Sequence, residues 1–345
     1  MTDILYIKDI LSGNILASIF KLGGIYMDYR RLIKFGNSSF VVSIPKDWLK
    51  RNNLEKGDMV YMNENGNNEL VLTSKMEEAG PESLTITLDI DSFEDSDIER
   101  RIVAKYLAGY DTFIIQGERT LRERQTNIRN ILNSLMALEI IEQTKNKIVA
   151  KDFLNSSEIS FKVIVRRIDT ILRSMLEDLQ NLSIKEDSSD ILRRDKDINR
   201  LAFLSTRIIK KCFNYPPLAK RLETSSSQLL FYKELVEQLE LIADEIKRIA
   251  RNFQQLGQPL KKTPDFLDIY ENVCKLYLEA MKSIYNVDEN LSYSIAKQKE
   301  SLMESCNAAI KKHKEPLIYS SFERLKTLIV FIRNLARLVY KEGTI

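Results

Sequence analysis

The chain has 345 residues, a length that exceeds one typical compact domain and predicts two or three domains. Charged residues make up 29% and hydrophobic residues 44%, and the 11 glycines and 7 prolines exclude long flexible or low-complexity tracts. A formal net charge of +3 excludes a uniformly basic nucleic-acid-binding surface, so any such site depends on local clusters of charge.

Residues 1–27 form a predicted N-terminal extension. Lys8, Asp9 and Lys21 interrupt its apolar runs, so none reaches the ~20 apolar residues that a membrane-spanning helix needs. The pattern is not that of a signal peptide either. Met27 stands directly before the first strong strand pattern, which gives the hypothesis that it is the natural start. We expect no membrane insertion.

The cysteines are few and far apart. Cys212, Cys274 and Cys306 each lie among apolar residues of a helical pattern, which predicts reduced thiols in a core. Reduced thiols are typical of a cytoplasmic protein. His313 is the only histidine, which argues against histidine-based catalysis and against a histidine-rich metal site.

The segment 28–78, called the head below, has the pattern of two small β-hairpins around one short helix. Residues 31–35 and 40–44 are strand-like runs joined by a Gly-Asn-Ser turn, and residues 59–62 and 69–73 form a second pair. Between the pairs, a proline begins a short amphipathic helix with the sequence KDWLKRN. A unit of about 50 residues has too small a core to fold without a partner.

Residues 30–75 resemble the AbrB/MazE/SpoVT swapped-hairpin domain. The resemblance rests on SIPKDW at the end of the second strand and on the pair Gly57-Asp58, which begins twelve residues after Pro45. In that family two protomers interleave their hairpins around one core, and a basic face binds the major groove of DNA. The resemblance therefore implies a homodimer with DNA as a partner, and a shared core would solve the problem of size.

Basic residues cluster in the first part of the head. Residues 30–56 contain seven basic and two acidic residues, whereas residues 57–80 contain one lysine and five acidic residues. Phosphate backbones are bound by several cationic side chains on one surface, and the alternative is an ordinary solvated charged face. Taken with the resemblance, the cluster predicts DNA binding, without separating base contacts from phosphate contacts. The predicted DNA-binding residues are Arg30, Arg31, Lys34, Lys46, Lys50 and Arg51.

Residues 82–154 have the pattern of a small α/β domain. Strands are predicted over 84–90, 112–116 and 147–154, and helices over 97–107 and 121–143. Alternation of strands and helices gives no binding site by itself. A spacer is the favoured interpretation, and a sensor of a small ligand is the alternative.

The rest of the chain is predicted to be helical. From Glu158 onward apolar residues recur with a helical period, and Pro216, Pro217 and Pro316 interrupt the pattern. A longer break at 257–264 divides it into two halves. The fold class expected for the whole chain is mixed and mostly α.

The two halves contain an internal repeat. The segment IKRIAR at 246–251 is echoed by IRNLAR at 332–337. Long helices joined by short loops pack antiparallel, so we expect two tandem three-helix bundles, over 156–257 and 263–342.

The helical part resembles PhoU, the phosphate-uptake regulator built from two three-helix repeats. ELIAD at 240–244, followed by RIA at 248–250, resembles the family's ERIGD-then-NIA pattern. RDKDINRL at 194–201 resembles the acidic segment on the second helix of a PhoU repeat. Archaeal-type PhoU regulators with an AbrB-like head share this order of parts. The resemblance implies a role in phosphate homeostasis and contact with a phosphate transporter ATPase or another signalling protein.

Four carboxylates of the first helical half are candidate metal ligands. Glu240 and Asp244 are spaced to share one helix face, and Asp195 or Asp197 from a facing helix would add oxygens for a hard or borderline cation. The PhoU resemblance implies a divalent or iron-type metal ion there. The alternative is a surface stripe in which Asp244 pairs with Arg248.

Catalytic motifs are missing from the sequence, which has no P-loop, dinucleotide-binding glycine pattern, nucleophile elbow or histidine dyad. We do not expect an enzyme. The predicted function is a dimeric, cytoplasmic transcriptional regulator of phosphate uptake, in which the head reads DNA and the helical body senses phosphate status. The alternative is an accessory protein that regulates a phosphate ABC transporter or its sensor by contact, without binding DNA.

Overall fold

The computed structural model describes residues 20–22, 25–27, 29–37, 39–64, 69–74, 83–118, 121–182 and 189–341. The chain divides into two compact units, Met1–Gly80 and Pro81–Ile345. The fold is mixed and mostly α, with small strand hairpins in the first unit and a long helical region in the second. The predicted fold class is therefore confirmed.

The described residues of the first unit form short antiparallel hairpins and one short helix. Its elements are β1 (Phe20–Leu22), β2 (Ile25–Met27), β3 (Ile33–Phe35), β4 (Ser39–Val41), α1 (Lys46–Arg51), β5 (Tyr61–Glu64) and β6 (Leu70–Thr73). Strands pair as β1 with β2, β3 with β4, and β5 with β6. The two hairpins predicted for the head are confirmed, and β1 and β2 form a further hairpin inside the predicted N-terminal extension. Residues 1–19, which include most of that extension, lie outside the described residues.

Turn residues fix the path of the chain through the head. Gly36 turns β3 into β4 with a φ of +68°, and α1 begins directly after Pro45, whose carbonyl accepts the Trp48 N–H at 3.0 Å. Gly57 has a φ of +104°, which side-chain-bearing residues rarely adopt. The Asp58 carboxylate then accepts the backbone N–H of Glu55 at 2.7 Å.

The second unit begins with a four-stranded sheet. Its elements are β7 (Thr85–Asp89), α2 (Asp95–Leu107), β8 (Thr112–Gln116), α3 (Leu121–Ser134), β9 (Leu138–Gln143) and β10 (Lys147–Asp152). The strand order is β7-β8-β10-β9, with β7 parallel to β8 and the other pairs antiparallel. Apolar residues of β8, α2 and α3 form the core of this part, with Phe113, Ile115 and Ile102 at most 1% exposed.

The predicted helix over 121–143 is wrong in its second part. The helix α3 ends at Ser134, and Ala137 takes a φ of +63°, which reverses the chain. Residues 138–143 then form β9, which pairs with β10. The neighbouring β-branched residues Ile140 and Ile141 favour this extended conformation, and strand pairing overrides the helical pattern.

The helical region follows the sheet. Its helices are α4 (Phe161–Asn181), α5 (Ser189–Asn214), α6 (Pro216–Arg221), α7 (Ser226–Leu256), α8 (Pro264–Asn286), α9 (Glu289–Ile310) and α10 (Pro316–Lys341). Prolines stand at the first position of α6, α8 and α10. Ser225 and Gln228 form a capping box at the start of α7, and Gly257 ends that helix in the left-handed conformation.

The long helices of the described residues form two sets of three that share one core. The first half contains α4, α5 and α7, the second contains α8, α9 and α10, and α7 packs along α10. The ring of Phe266 on α8 lies 5.0 Å from that of Phe253 on α7 and 5.1 Å from that of Phe322 on α10. These contacts join the halves through buried aromatic side chains. No helix in the described part of the chain is both long and apolar enough to cross a membrane.

A buried ion-pair cluster fastens the sheet to α5. Arg207 is fully buried, and its Nη2 atom donates to Asp152 Oδ2 at 2.6 Å and to Asp111 Oδ1 at 3.1 Å. Lys211 Nζ donates to the same Asp111 oxygen at 2.6 Å, and Arg207 Nη1 donates to the Tyr106 carbonyl at 2.5 Å. Two cations thus meet two carboxylates, so the contact carries no net charge. We call these four charged side chains the sheet clamp.

Candidate functional site

The head exposes apolar side chains that a stable core would bury. No described residue between 29 and 74 is buried, although both hairpins are rich in large apolar residues. The side chains of Leu32, Phe35 and Met59 are 71%, 69% and 73% exposed. Exposure on this scale in so small a unit indicates a surface that another chain covers.

The strand register separates two faces of the β3–β4 hairpin. Ile33 lies opposite Val41, and Phe35 lies opposite Ser39, so these residues share one face. Lys34 pairs with Phe40 on the other face. The first face has no charged side chain within the two strands, so it can enter a shared core without desolvating a charge.

Five of the predicted DNA-binding residues are solvent-exposed, namely Arg31, Lys34, Lys46, Lys50 and Arg51. Arg30 is half-buried and donates from its guanidinium to the Tyr29 carbonyl at 3.1 Å. Lys46 and Lys50 are four residues apart on α1 and therefore share one side of that helix. The structure thus places positive charge where solvent, and a nucleic acid, can reach it.

A polar contact holds α1 against the second hairpin. Asn52, at the end of α1, donates its side-chain N–H to the Trp48 carbonyl at 2.8 Å and accepts from Ser74 Oγ at 3.0 Å. Ser74 directly follows β6. The cationic side of α1 is therefore fixed relative to the β5–β6 hairpin.

The predicted metal ligands in the helical body lie around a lysine. Lys247 Nζ donates to Asp195 Oδ2 at 2.9 Å and to Asp244 Oδ1 at 2.5 Å. Arg248 Nη2 is 3.5 Å from the other Asp244 oxygen, so Asp244 lies close to Arg248 as well as to Lys247. Asp197 lies 3.9 Å from Arg200.

Glu240 lies in the same cluster without a cationic partner of its own in the described hydrogen bonds. Burial raises the pKa of this carboxyl, and the negative charges of Asp244 and Asp195 raise it further. Burial lowers the pKa of Lys247, but the hydrogen bonds to Asp195 and Asp244 outweigh it, so the net shift is upward. Lys247 therefore stays charged and occupies the position between the two aspartates.

The arrangement does not match a metal site. Among the described residues, no group of three or more histidine, cysteine, aspartate or glutamate side chains is placed to hold a metal ion. A cation at Asp195 and Asp244 would have to displace the ammonium group of Lys247. Metal binding at the first helical half, with Glu240 and Asp197 as further ligands, stays a prediction.

Several charged residues at helix contacts were not predicted. Glu245 of α7 is 2% exposed and pairs with Arg248 and, at 3.6 Å, with Arg324 of α10. Asp169 of α4 accepts hydrogen bonds from the Tyr277 and Tyr285 hydroxyl groups of α8. Both acids tie the two halves of the body together, and their only sequence signal is a charge within a helical pattern.

A comparison with protein families found one match in the head. The model MazE_antitoxin, described as "Antidote-toxin recognition MazE, bacterial antitoxin", matches residues 33–79. Residues 33–79 are similar to the MazE antitoxin. This match supports the predicted swapped-hairpin head, and it supports DNA binding and dimerisation in general.

Searches of the curated proteins and of the solved structures found no match to the chain. The MazE match ends at residue 79, so it does not include the sheet or the helical body. The resemblance of the helical body to PhoU stays a prediction.

Proposed function

We propose that the protein is a dimeric transcriptional regulator whose head binds DNA. The observation that carries this proposal is the combination, within one MazE-like head, of uncovered apolar strands and exposed basic side chains. The apolar surface calls for a second chain, and the basic residues provide charge for a phosphate backbone.

Dimerisation follows from the energetics of the apolar surface. Burial of one large apolar side chain contributes about 1.5–3 kcal/mol. Ile33, Phe35 and Val41 on the uncharged face of the β3–β4 hairpin are all exposed in the single chain. Burial of this face against a second copy supplies a core that one head lacks, which matches the interleaved hairpins of the related domains.

DNA binding follows from the distribution of charge. Lys46, Lys50 and Arg51 project from α1, and a dimer would present two such sets. Each phosphate neutralised by a cation contributes a slope of about −0.9 to the dependence of log affinity on log salt. The binding should therefore be strong at low salt and fall steeply as salt rises.

The finer part of the proposal concerns the signal. We propose that the helical body responds to phosphate status and that the response changes the availability of the head for DNA. Two packed three-helix halves support this part, because they agree with the layout of the PhoU repeats that the sequence resembles. A protein partner, such as a phosphate transporter ATPase, would deliver the signal, with or without a metal ion at the first half.

The test is a mobility-shift assay with the full chain and DNA from the region upstream of its own gene. We expect Arg31→Ala with Lys50→Ala to weaken binding by about tenfold or more, and to make the salt slope shallower by roughly 4, because a dimer loses two phosphate contacts from each protomer. Lys56→Ala is the matched control, since Lys56 is an exposed lysine of the head outside the predicted set. Equal binding by the double variant and the control would refute the proposal.

The alternative function is an accessory protein that controls a phosphate transporter or its sensor by contact. One observation favours this alternative. The exposed apolar strands of the head are accounted for by dimerisation alone, without any binding to DNA. Transcription profiling of a deletion strain, with and without phosphate, separates the two functions. Complementation by the Arg31→Ala, Lys50→Ala variant should fail if DNA binding is required and should succeed if contact alone is required.

A further inference from the structure

A pocket of about 220 Å³ opens at one end of the helical body. Its lining comes from the first turns of α4, the N-terminal part of α7, and the C-terminal end of α8 with the residue that follows. The first two helices belong to the first half of the body and α8 belongs to the second. Both halves therefore contribute to its wall.

The floor of the pocket is aromatic and rigid. Phe231 and Tyr232 line it, and both are buried. The Tyr232 ring stacks on the Phe161 ring with centroids 5.0 Å apart and packs edge-on against the Phe231 ring at 5.6 Å. Ring contacts on two sides hold Tyr232 in place, and both rings offer an apolar surface to a ligand.

The rim of the pocket carries two uncompensated positive charges. Lys162 and Arg166 line it, are exposed, and are four residues apart on α4. Within the described part of the chain, neither side chain has an acidic partner. The buried acid on the same helix, Asp169, already accepts from Arg173 at 3.0 Å and from the Tyr285 hydroxyl at 3.0 Å. Asp169 therefore already accepts hydrogen bonds from donors other than Lys162 and Arg166.

The part of the lining that follows α8 contains a residue with a strained backbone. Val287 lines the pocket directly after α8 and has a φ of +53°, in the left-handed region that glycine normally occupies at the end of a helix. For a β-branched side chain this conformation is unfavourable. Strain of this kind tends to be kept at binding sites, where a particular side chain is needed in a particular place.

We propose that this pocket binds a small amphipathic anion, in which an aliphatic or aromatic body lies on the Phe231 and Tyr232 rings and a carboxylate or phosphate group meets Lys162 and Arg166. The volume equals that of roughly seven water molecules at ~30 Å³ each, which suits one ring or a short alkyl chain with its charged group at the rim. Charge-assisted hydrogen bonds from a lysine and an arginine fix such a group. The ligand would touch both halves of the body and so stabilise their contact.

The test is calorimetric titration of the full chain with octanoate and with phenyl phosphate, which represent the two sources of negative charge. Inorganic phosphate and 1-octanol are the probes for charge alone and for the apolar body alone. We expect at least one amphipathic probe to bind at least about tenfold more tightly than both simple probes, because only it uses rim and floor together. Inorganic phosphate as tight as phenyl phosphate, with octanoate not binding, would overturn the proposal, as would no binding of either amphipathic probe at about 10 mM.

Two variants place the binding at this pocket. Lys162→Gln with Arg166→Gln should weaken binding by about tenfold or more, since it removes both charged donors. Arg167→Gln is the matched control, because Arg167 is an exposed arginine of α4 that does not line the pocket, and it should leave affinity within about twofold. Equal losses in the two proteins would overturn the assignment.

A third variant tests the role of Val287. Val287→Gly should leave the melting temperature equal or higher, because glycine adopts this φ without strain, while it weakens binding at least about threefold by removing the side chain. Unchanged affinity in a folded Val287→Gly protein would show that the probes bind elsewhere and would overturn the proposal.

Discussion

Glu240 and Asp244 are on the same helix face, yet their environments differ. Asp244 shares Lys247 with Asp195, whereas Glu240 is partly buried beside both aspartates. The raised pKa of Glu240 means that folding favours its protonated form. Its unfavourable contribution is absent well below the ordinary pKa of 4.5, grows as pH rises from there to the folded-state pKa, and is fully present above it.

We therefore expect Glu240→Gln to stabilise the protein at pH 7 by about 0.5 kcal/mol, the size of a repulsive pair on one helix face. The gain should vanish near pH 3, where the wild-type carboxyl is protonated in both states. Urea unfolding followed by far-UV circular dichroism at both pH values measures this difference. The matched control is Glu300→Gln, because Glu300 is an exposed glutamate of α9 that is not among the charges that raise the pKa of Glu240.

Destabilisation of the protein by Glu240→Gln at pH 7, the opposite of this expectation, would support a metal site. If Glu240 binds a cation with Asp195 and Asp244, Mn²⁺ or Fe²⁺ should raise the melting temperature of the wild type, and Glu240→Gln should abolish that rise. Metal analysis of protein purified without chelator gives an independent answer.

The cysteines show how burial sets reactivity. All three are free thiols, with Cys212 and Cys306 buried and Cys274 half-buried. Burial raises the pKa of Cys212 and Cys306 to about 11 and that of Cys274 to about 12. The predicted core position is confirmed for the two buried cysteines, and burial keeps all three thiols protonated at neutral pH.

The sheet clamp is the contact between elements whose loss we expect to lower the free energy of unfolding most. Arg207→Met would leave the Asp152 carboxylate, which is 2% exposed, with Lys211 as its remaining cation in the clamp. Loss of one partner from a buried ion pair costs about 3–5 kcal/mol, so we expect a destabilisation of this size in urea unfolding of the body. A loss below about 1 kcal/mol would contradict the structure of the clamp.

Two further variants control this experiment. Arg193→Met on the same helix removes an exposed pair with Asp190 and should change stability by no more than about 0.5 kcal/mol. Arg207→Met combined with Asp152→Leu should recover at least about half of the loss, because the pair is removed together and Lys211 keeps Asp111 at 2.6 Å.

The elements that the sequence predicts well are those with local signals. Prolines and Gly257 mark the helix ends, and the Gly-Asn-Ser turn marks the first hairpin of the head. The strand β9 was missed because its apolar residues also fit a helical period and only pairing with β10 decides between the two. Local patterns thus fail where a distant strand determines the conformation.

Some features of the candidate site could likewise be predicted from local sequence, and others could not. Exposure of Arg31 or Lys50 follows from a charged residue in a small hairpin unit, so the sequence could predict it. The closer contact of Asp244, with Lys247, could not be predicted, because Lys247 and Arg248 are both within about one helical turn and Asp195 of a facing helix also draws Lys247 to this place. The sheet clamp was not predicted for the same reason, since its members are separated by up to 100 residues in the sequence.

At the scale of the whole molecule, the single tryptophan distinguishes the two units. Trp48 lies in the head, whereas most of the helix, and hence the far-UV signal, lies in the second unit. If the head folds only as a dimer, its melting temperature must rise with protein concentration by mass action. We expect the fluorescence midpoint to rise by several degrees over a hundredfold concentration range, about 2.7 kcal/mol of mass action.

The circular dichroism midpoint at 222 nm should not change over the same concentration range. Phe35→Asp should lower the fluorescence midpoint and leave the circular dichroism midpoint in place, because a charge then enters the uncharged face of the β3–β4 hairpin. Asn37→Asp, in the turn between the same strands, is the matched control for an added negative charge. Fluorescence midpoints that are independent of concentration would contradict a dimeric head.

The packing of α7 along α10 gives the body an internal symmetry. Each is the third long helix of its half, each carries one copy of the repeated segment, and the first helices, α4 and α8, also meet, with the Tyr270 hydroxyl bonded to the Leu176 carbonyl at 2.9 Å. Like helices that contact like helices are the mark of an isologous two-fold dimer.

In a homodimer every substitution appears twice, whereas in one continuous chain each copy changes alone. The positions equivalent to Glu240 and Asp244 hold Lys326 and Val330 in the second half. The fold therefore keeps the stability of a symmetric pair while allowing one copy of a surface to specialise and the other to serve only as its support.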